Sequence, residues 1–392
     1  MASVAAIAST DESVPKIPNL TLAQHRFVLA TGPVQAHEAA KEALLAGIAA
    51  DAMLPFYNLL AAQFNWTPNT KLIADLTKAN EAELKLLDEK IIDAETNLGI
   101  TDVSDALISR ASYLAKIGEK DKAVAAYKLA YEKTGPLGTR IDLVFSQIRI
   151  GFFFNDLDLI DRNIEKARGL INEGGDWDRR NRLKVYEGIH KMSSRDFKGA
   201  ADLLLDTLAT FTSTELMEYK DFVKYVVLTA AFTLKRPDFK SRVINAPEIL
   251  EVIGNIPHLD TYANSLYKCE YSQFFTSLAA IEQDIKFDRL LNAHYHYYVR
   301  EMRIQAYTQL LDSYRSLTIE SMANAFGVSE EFIDTDLSKF ISAGRLNAVI
   351  DKVAGIVETN RPDAKNAQYQ AAIKQGDLLL TRIQKLSRVI SV

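Results

Sequence analysis

The chain has 392 residues, of which 48% are hydrophobic and 25% are charged, and its formal net charge is −5. This balance excludes an intrinsically disordered chain, and it gives no overall basic surface of the kind that proteins gripping nucleic-acid phosphates carry. Cys269 is the single cysteine, which excludes an intrachain disulfide and a cysteine-built zinc site and favours a reducing compartment.

The first 18 residues predict a flexible N-terminal tail. The start, MASVAAIASTDESVPK, is small and weakly apolar, lacks a basic segment and reaches Asp11 and Glu12 before any long apolar run, so no secretory signal is expected. The longest uncharged stretch, residues 52–70, contains two prolines and several asparagines. It therefore does not predict a membrane span.

Residues 19–290 predict a solenoid of tetratricopeptide-like helical hairpins. The first strong signal is a long exposed helix with Gly99 as its expected C-cap and an apolar stripe made of Leu84, Leu87, Ile91 and Ile92. Apolar triads at helical spacing then recur at steps of about 40 residues, which is typical of helical-hairpin repeats. They are Ala123, Tyr127 and Ala130; Ile164, Ala167 and Leu170; and Ala200, Leu204 and Leu208. Such hairpins stack on one another because a single hairpin cannot bury the apolar faces of both its helices. An irregular helical domain is the alternative prediction.

A basic run follows the adjacent glycines 174 and 175, with Trp177 predicted to pack at a hairpin junction. The run consists of Arg179, Arg180, Arg182 and Lys184. It suits an acidic partner, but a solvated helix face paired with neighbouring acidic residues is the favoured interpretation.

The sequence predicts no catalytic residue, no metal and no cofactor. It lacks a glycine-rich phosphate loop and a nucleophile elbow, and Cys269 has no signature of an activated thiolate. His294 and His296 have the spacing of a zinc-binding pair in isopeptidases, but Ile304 stands where such a motif needs a serine. Residues two apart on a helix also point in different directions, so we do not expect an enzyme.

Residues 291–362 predict a winged helix, with a helix-turn-helix beginning near Thr318. The expected core residues are Met322, Ala325, Phe326, Val328, Phe332, Ile333, Leu337 and Ile341. The second helix, capped by Ser329, carries four acidic residues against Lys339 alone. A DNA reader inserts the start of this helix between phosphates, so its charge predicts protein docking instead.

Two segments after the helix-turn-helix predict protein-interaction surfaces. The first is a two-stranded wing whose edge can add to a neighbouring sheet, through Val349, Ile350, Val353, Ile356 and Val357. The second is a helix over residues 363–392 with a stripe at alternating steps of four and three. Its candidate interaction residues are Tyr369, Ile373, Leu379, Leu380, Ile383, Leu386 and Ile390. We expect this stripe to join a bundle with other chains, and folding back on the winged helix is the alternative.

This mostly α order of repeat array, winged helix and C-terminal helix resembles the PCI family, shared by the proteasome lid, the signalosome and a translation-initiation complex. The likeness is strongest to a proteasome lid subunit, in GGDWDRRNRLKVYEGI, YYVREMRIQAYTQLLDSYRSLT, MANAFGVS, IDKVAGIVETNRPDAKNAQY and IKQGDLLL. It implies a non-catalytic scaffold that supports lid assembly and ubiquitin-dependent protein degradation.

The resemblance also implies partners and a location. Other lid subunits are expected to bind the winged-helix edges and the C-terminal helix, and the N-terminal arm is expected to contact the ATPase ring or neighbouring lid arms. Nucleic acid and membrane are not expected partners, and the cytoplasm and nucleus are the expected compartments. A scaffold of the signalosome resembling its first subunit is the main alternative, and a winged-helix nucleic-acid regulator is the other.

Overall fold

The computed structural model describes residues 14–360 and 364–390, and these residues are mostly helical, as the sequence predicts. The chain divides into two compact units. One contains the residues up to Tyr267 together with 276–299, and the other contains 268–275 together with the residues from Arg300 onward. The division therefore runs through two helices, α15 and α16 as defined below, rather than at the single boundary predicted after residue 290.

The described residues of the first unit form helices joined by short loops and turns. These helices are α1 (Leu20–Thr31), α2 (Val34–Ala50), α3 (Leu54–Phe64), α4 (Thr70–Asn97), α5 (Ile100–Lys116), α6 (Lys120–Lys133), α7 (Leu137–Phe154), α8 (Leu157–Gly174), α9 (Trp177–Ser193), α10 (Phe197–Asp206), α11 (Tyr219–Thr233), α12 (Arg236–Phe239), α13 (Pro247–Ile253) and α14 (Leu259–Lys268). Two further helices, α15 (Tyr271–Lys286) and α16 (Tyr295–Leu311), contribute residues to both units.

Consecutive helices pair as the repeat pattern predicts. Helices α5 and α6, α7 and α8, and α9 and α10 pack as hairpins, and each hairpin contacts the next. All nine residues of the three predicted apolar triads are buried; eight lie on α6, α8 and α10, and Leu208 begins the short 3-10 helix Leu208–Thr210 just after α10. The small residues let the paired helix approach closely while Tyr127 fills the space between α5 and α7. The helical-repeat prediction is confirmed.

Three local predictions in this unit are wrong. Ile92 lies off the buried stripe of α4 and is exposed. Gly99 does not end α4 but begins α5, because its N–H donates to the Asp102 carboxylate at 3.2 Å and completes the cap of the following helix. Trp177 is 65% exposed, since it is the first residue of α9 and projects from the helix start instead of packing in the hairpin junction.

The prediction of a flexible tail is also wrong for the described residues 14–18. Pro18 is buried, Ile17 packs against the core formed by α5, α6 and α7, and Arg149 Nη1 donates to the Pro15 carbonyl at 3.3 Å. The apolar side chain of Ile17 lies between Pro15 and Pro18, and its burial stabilises the packed segment. The prediction of a flexible tail did not take this into account. The rest of the predicted tail lies outside the described residues.

The second unit contains a winged helix followed by a long helix. Its further elements are β1 (Ser316–Thr318), α17 (Ile319–Phe326), α18 (Glu330–Ser342), β2 (Ala348–Asp351), β3 (Ile356–Thr359) and α19 (Ala364–Ile390). The strands form one antiparallel sheet in the order β1-β3-β2, with Leu317 and Ile350 on either side of Val357. The predicted two-stranded wing is thus a three-stranded sheet, because β1 is too short to show an alternating pattern.

The winged-helix core follows most of the predicted pattern. Met322, Phe326, Ile333 and Leu337 are buried, and the Tyr307 ring meets the Phe326 ring edge-on with centroids 4.8 Å apart. The predicted core residues Ala325 and Phe332 are instead exposed, because their helices turn these positions outward. Between α17 and α18 the chain turns at Gly327, whose φ of 67° lies in the left-handed region that glycine tolerates best.

An ion pair between Arg303 on α16 and Asp336 on α18 stabilises this core. Arg303 Nη1 lies 2.8 Å from Asp336 Oδ2, and the Asp336 side chain is buried. Burial, together with the negative charge of Asp336, raises the pKa of the neighbouring Tyr307 hydroxyl. Asp334 Oδ2 likewise lies 3.1 Å from Lys352 Nζ. Two acidic residues of α18, Asp334 and Asp336, are therefore paired with cations of the same unit.

We expect Arg303→Ala to destabilise the winged helix by about 3 kcal/mol, because it leaves the Asp336 carboxylate buried without its cation. Urea unfolding followed by the fluorescence of the core tyrosines measures the change. Lys352→Ala is the matched control: it removes the exposed partner of Asp334 on the same helix and should cost less than about 1 kcal/mol. Equal losses for the two variants would contradict this account of the pair.

Candidate protein-interaction surfaces

The wing presents the outer edge of β2 for pairing. Asn360 donates its backbone N–H to the Asn347 carbonyl at 3.0 Å. In an antiparallel pair the backbone N–H and C=O groups of successive residues point alternately toward and away from the partner strand. Those of Val349 and Asp351 therefore point toward β3, as those of Asn347 do, whereas those of Ala348 and Ile350 point away from it. Residue Ile350 therefore offers one donor and one acceptor at a free edge of the described sheet.

The five predicted wing residues fall into different environments. Val349 is half-exposed, and Val353 is 100% exposed at the turn between β2 and β3, where the Asp351 carboxylate accepts from the Val353 N–H at 2.9 Å. Ile350 and Ile356 are partly buried. Val357 is fully buried at 0% exposure in the central strand, so its side chain has no surface for a partner and is left out of the proposed interface.

The start of α18 is acidic in the structure as well as in the sequence. Ser329 caps the helix by accepting from the Phe332 N–H at 3.4 Å, and Glu330 and Glu331 are exposed in its first turn. Carboxylates at this position are favourable for the helix dipole but would face phosphates in a DNA-docked winged helix. The exposed carboxylates at the start of α18 would therefore oppose the phosphates of a docked duplex.

Helix α19 is exposed at residue 366 and at every residue from 368 to 390. All seven predicted interaction residues of this helix keep more than half of their surface in contact with solvent, including Leu380 at 58% and Ile383 at 54%. A single chain rarely exposes a contiguous apolar stripe of this length unless another molecule covers it. Folding back on the winged helix, the alternative prediction, is not what this structure contains.

The apolar surface of α19 is wider than the predicted stripe. Leu378 and Val389 are also exposed, and the helical period places both on roughly the opposite side from Leu380 and Ile383. A helix with apolar residues on two sides suits the interior of a bundle better than a two-helix seam. These two residues lie outside the single stripe that was predicted from the sequence.

The basic run and the two histidines, which the sequence offered as further candidate sites, lie in the first unit. In the basic run, Arg179 Nη2 lies 2.7 Å from Asp142 Oδ2 and Arg182 Nη2 lies 3.1 Å from Asp178 Oδ2, so both pair with acidic residues as predicted. The Arg182 side chain is only 13% exposed, however, and does not lie on a solvated face. His294 hydrogen-bonds the Ser193 carbonyl at 2.9 Å, whereas His296 is exposed on α16 beside Tyr295. The structure does not join the two histidines in one site.

Two features are absent from the described ranges. Across residues 14–360 and 364–390, no group of three or more histidine, cysteine, aspartate or glutamate side chains is arranged to hold a metal ion. Within the same part of the chain, no helix combines the length and apolar character that crossing a membrane requires.

A helical-repeat unit, a winged helix with an acidic second helix and an exposed apolar C-terminal helix together define a PCI-domain protein. Three family models match these segments in order. A model described as 26S proteasome subunit RPN7 covers residues 69–242, the PCI domain covers 253–361, and the RPN7/PSMD6 C-terminal helix covers 368–390. The matches follow the same order as the elements in the structure.

Similar proteins extend these matches over nearly the full chain. A protein named 26S proteasome non-ATPase regulatory subunit 6 homolog from Arabidopsis thaliana is 50% identical over 96% of this chain and 97% of its own length. The corresponding subunit 6 of rice is 48% identical over the same shares. The chain therefore belongs to the 26S proteasome non-ATPase regulatory subunit 6 family.

The main alternative from the sequence receives weaker support. COP9 signalosome complex subunit 1 from Arabidopsis thaliana is 23% identical over 55% of this chain and 48% of its own length. That likeness is lower in identity and covers a much smaller share of both proteins. The proteasome interpretation is favoured over the signalosome interpretation.

Proposed function

We propose that the chain is a non-catalytic scaffold subunit of the regulatory-particle lid of the 26S proteasome, where it supports lid assembly and ubiquitin-dependent protein degradation. The observation that carries this proposal is helix α19, whose apolar side chains have no cover from the described residues. A helix of this kind is expected to be buried in an assembly, and relatives similar over the same length are named as proteasome subunits.

The proposed role of α19 is to enter a helical bundle with other lid subunits. Residues Tyr369, Ile373, Leu379, Leu380, Ile383, Leu386 and Ile390 would form the main contact, with Leu378 and Val389 meeting a second neighbour. Burying a large aliphatic side chain contributes about 1.5–3 kcal/mol relative to leaving it in water. Several such residues on one helix supply a strong driving force for association.

The proposed role of the wing is to pair edge to edge with a neighbouring winged helix. Backbone groups of Ile350 would extend the sheet, while Val349, Val353 and Ile356 would contact side chains of the partner. Strand addition of this kind fixes the register between subunits, because the hydrogen-bonding groups of β2 repeat only every second residue.

The proposal includes two further elements that rest on the resemblance to lid subunits. The helical-repeat unit would contact the ATPase ring or neighbouring lid subunits, and the protein would act in the cytoplasm and nucleus. No catalytic residue, metal or cofactor is assigned to the chain.

Affinity purification of the tagged full-length chain, followed by mass spectrometry, tests the proposed function. We expect the subunits of the proteasome regulatory particle to copurify in stoichiometric amounts. Recovery of signalosome subunits in their place would contradict the proposal and support the alternative scaffold.

We also expect weak nucleic-acid binding by the purified chain. At physiological salt the dissociation constant for a DNA or RNA duplex should exceed about 1 μM, because the exposed Glu330 and Glu331 repel phosphates. A salt series measured by fluorescence anisotropy gives this value. The double variant Glu330→Lys and Glu331→Lys is the matched control, and it should bind more tightly. Submicromolar binding by the unchanged protein would show that this surface does hold nucleic acid.

A further inference from the structure

An N-terminal segment lies across the first helices of successive hairpins. We call residues 14–25 the strap; it is extended up to Asn19 and then enters α1. Two cavities border it, of about 430 Å³ beside Pro15 and Ile17 and about 420 Å³ beside Lys16 and Gln24. Most of their lining residues outside the strap come from helices α5, α7, α9 and α11, and α6, α15 and the segments 214–218 and 287–290 supply the others. Together these elements define the groove that the strap occupies.

Three contacts along its length hold the strap in the groove. Near its start, Arg149 Nη1 donates to the Pro15 carbonyl at 3.3 Å, and Ile17 packs against the core of α5, α6 and α7. Near its end, Gln24 Nε2 donates to the Phe287 carbonyl at 2.6 Å, and Gln24 Oε1 accepts from the Arg289 N–H at 3.0 Å. A backbone carbonyl, an apolar side chain and a side-chain amide are contacts that a peptide ligand typically uses.

The strap fits this groove incompletely. Protein interiors are normally close-packed, and buried polar atoms are normally paired, yet both cavities border the strap. Among the described residues, Arg149 Nε, Arg182 Nε and Glu215 Oε2 are buried without a hydrogen-bond partner, although Arg182 Nε lies 3.6 Å from Glu215 Oε1 in an ion pair. All three side chains line the cavity beside Pro15 and Ile17. Arg149 is 5% exposed and forms no ion pair with any described residue. Its Nη2 donates to the Ser146 hydroxyl at 2.8 Å and its Nη1 to the Pro15 carbonyl, so both hydrogen-bond partners are neutral. A buried cation without a counter-ion weakens the closed arrangement.

The charge of the groove matches that of the strap. Around the cavity beside Lys16, the walls supply five acidic side chains against two basic ones, Lys224 and Arg289. The acidic residues are Glu215, Glu218, Asp221, Asp284 and Asp288. Lys16 is the cation that the strap places at this cavity. Lys16 is exposed and forms no ion pair with a described residue, so the acidic walls favour a basic residue here through their overall charge and not through a single partner.

We propose that this groove is a peptide-binding site and that the strap is its displaceable intramolecular ligand. The occupant is the chain's own sequence VPKIPNLTLAQH, in which Pro15 supplies the carbonyl, Lys16 the charge, Ile17 the apolar anchor and Gln24 the final hydrogen bonds. When the strap is released, the groove accepts an extended segment with the same basic-apolar chemistry.

Hydrogen exchange and peptide binding on the full-length chain test the proposal. Ile17→Asp and, separately, Gln24→Ala each remove one strap contact and leave the groove unchanged, whereas Arg26→Ala alters α1 at its exposed hydrogen bond to Gln63. We expect faster exchange over residues 14–25 in the first two variants only. A fluorescent peptide of residues 14–25 should then bind these variants at least about tenfold more tightly than it binds the unchanged chain, which corresponds to about 1.4 kcal/mol.

Variants of the added peptide distinguish specific from non-specific binding. Replacing Lys16 by Glu or Ile17 by Asp in the added peptide should each lower its affinity by about tenfold or more. Unaltered exchange in both strap variants would overturn the proposal, and so would released straps without any gain in peptide binding. If Ile17→Asp loses its helical circular dichroism, Gln24→Ala decides the question, since that change removes only two hydrogen bonds.

Discussion

Replacing Leu380 and Ile383 together by aspartate is expected to abolish incorporation of the chain into the lid while leaving the free chain folded. Both side chains are more than half exposed in the isolated chain, so the substitutions should change its stability by less than about 1 kcal/mol. In the proposed bundle the same positions would be buried, and each unpaired carboxylate would cost several kcal/mol. Even a total cost of about 3 kcal/mol corresponds to a loss of about 100-fold in affinity.

Native gels and quantitative mass spectrometry of the purified lid measure this incorporation. The matched control replaces Gln370 and Thr381 by aspartate, which adds two carboxylates on the face of α19 that lies between the main stripe and the side of Leu378 and Val389. The control should assemble far better than the test variant. Unfolding of the Leu380 and Ile383 variant would show that the stripe packs on its own domain, and normal assembly would show that it is not an interface.

Replacing Ile350 by proline is expected to lower incorporation by about tenfold or more. Proline removes the N–H that β2 directs outward, and its ring obstructs the approach of a neighbouring strand. The ladder to β3 survives, because Val349 and Asp351 form the hydrogen bonds on that side. Circular dichroism and thermal unfolding of the free variant should therefore remain close to those of the unchanged chain.

The variant Ile350→Thr separates the backbone of β2 from its side chain. It keeps the outward N–H and the β-branched shape, so strand addition should persist. Equal loss in the proline and threonine variants would place the contact on the side chain instead of the strand edge. Normal assembly of the proline variant would show that this edge does not pair with a neighbour.

Periodicity made the helical hairpins predictable, because close packing forces small and large residues into fixed places on each helix. Tyr127, Ala167 and Leu204 are examples in three successive hairpins. The charge of α18 was predictable for a similar reason, since Glu330 and Glu331 belong to one local turn. Local patterns of this kind can be predicted from the sequence because distant residues have little influence on them.

Features that depend on distant partners were not predictable from local pattern. Strand β1 has three residues and becomes a strand only because β3, some 40 residues later, supplies its hydrogen bonds. The burial of Val357 follows from that third strand, which turns an expected edge into the centre of the sheet. The packing of residues 14–18 likewise depends on Arg149.

Trp177 and Phe332 show the converse error. Large apolar side chains are buried more often than not, and the sequence interpretation placed both in cores. The first lies at a helix start and the second on the outward face of α18, so both are exposed. Hydrophobic character alone did not reveal their direction.

Cross-linking mass spectrometry of the assembly purified with the full-length chain tests the central claim most directly. Lys374 and Lys385 lie on exposed α19 and are suitable attachment sites for a lysine-reactive reagent. The account predicts cross-links from both residues to helices of other proteasome lid subunits. Cross-links confined to this chain's own winged helix, for example to Lys339 or Lys352, would contradict it.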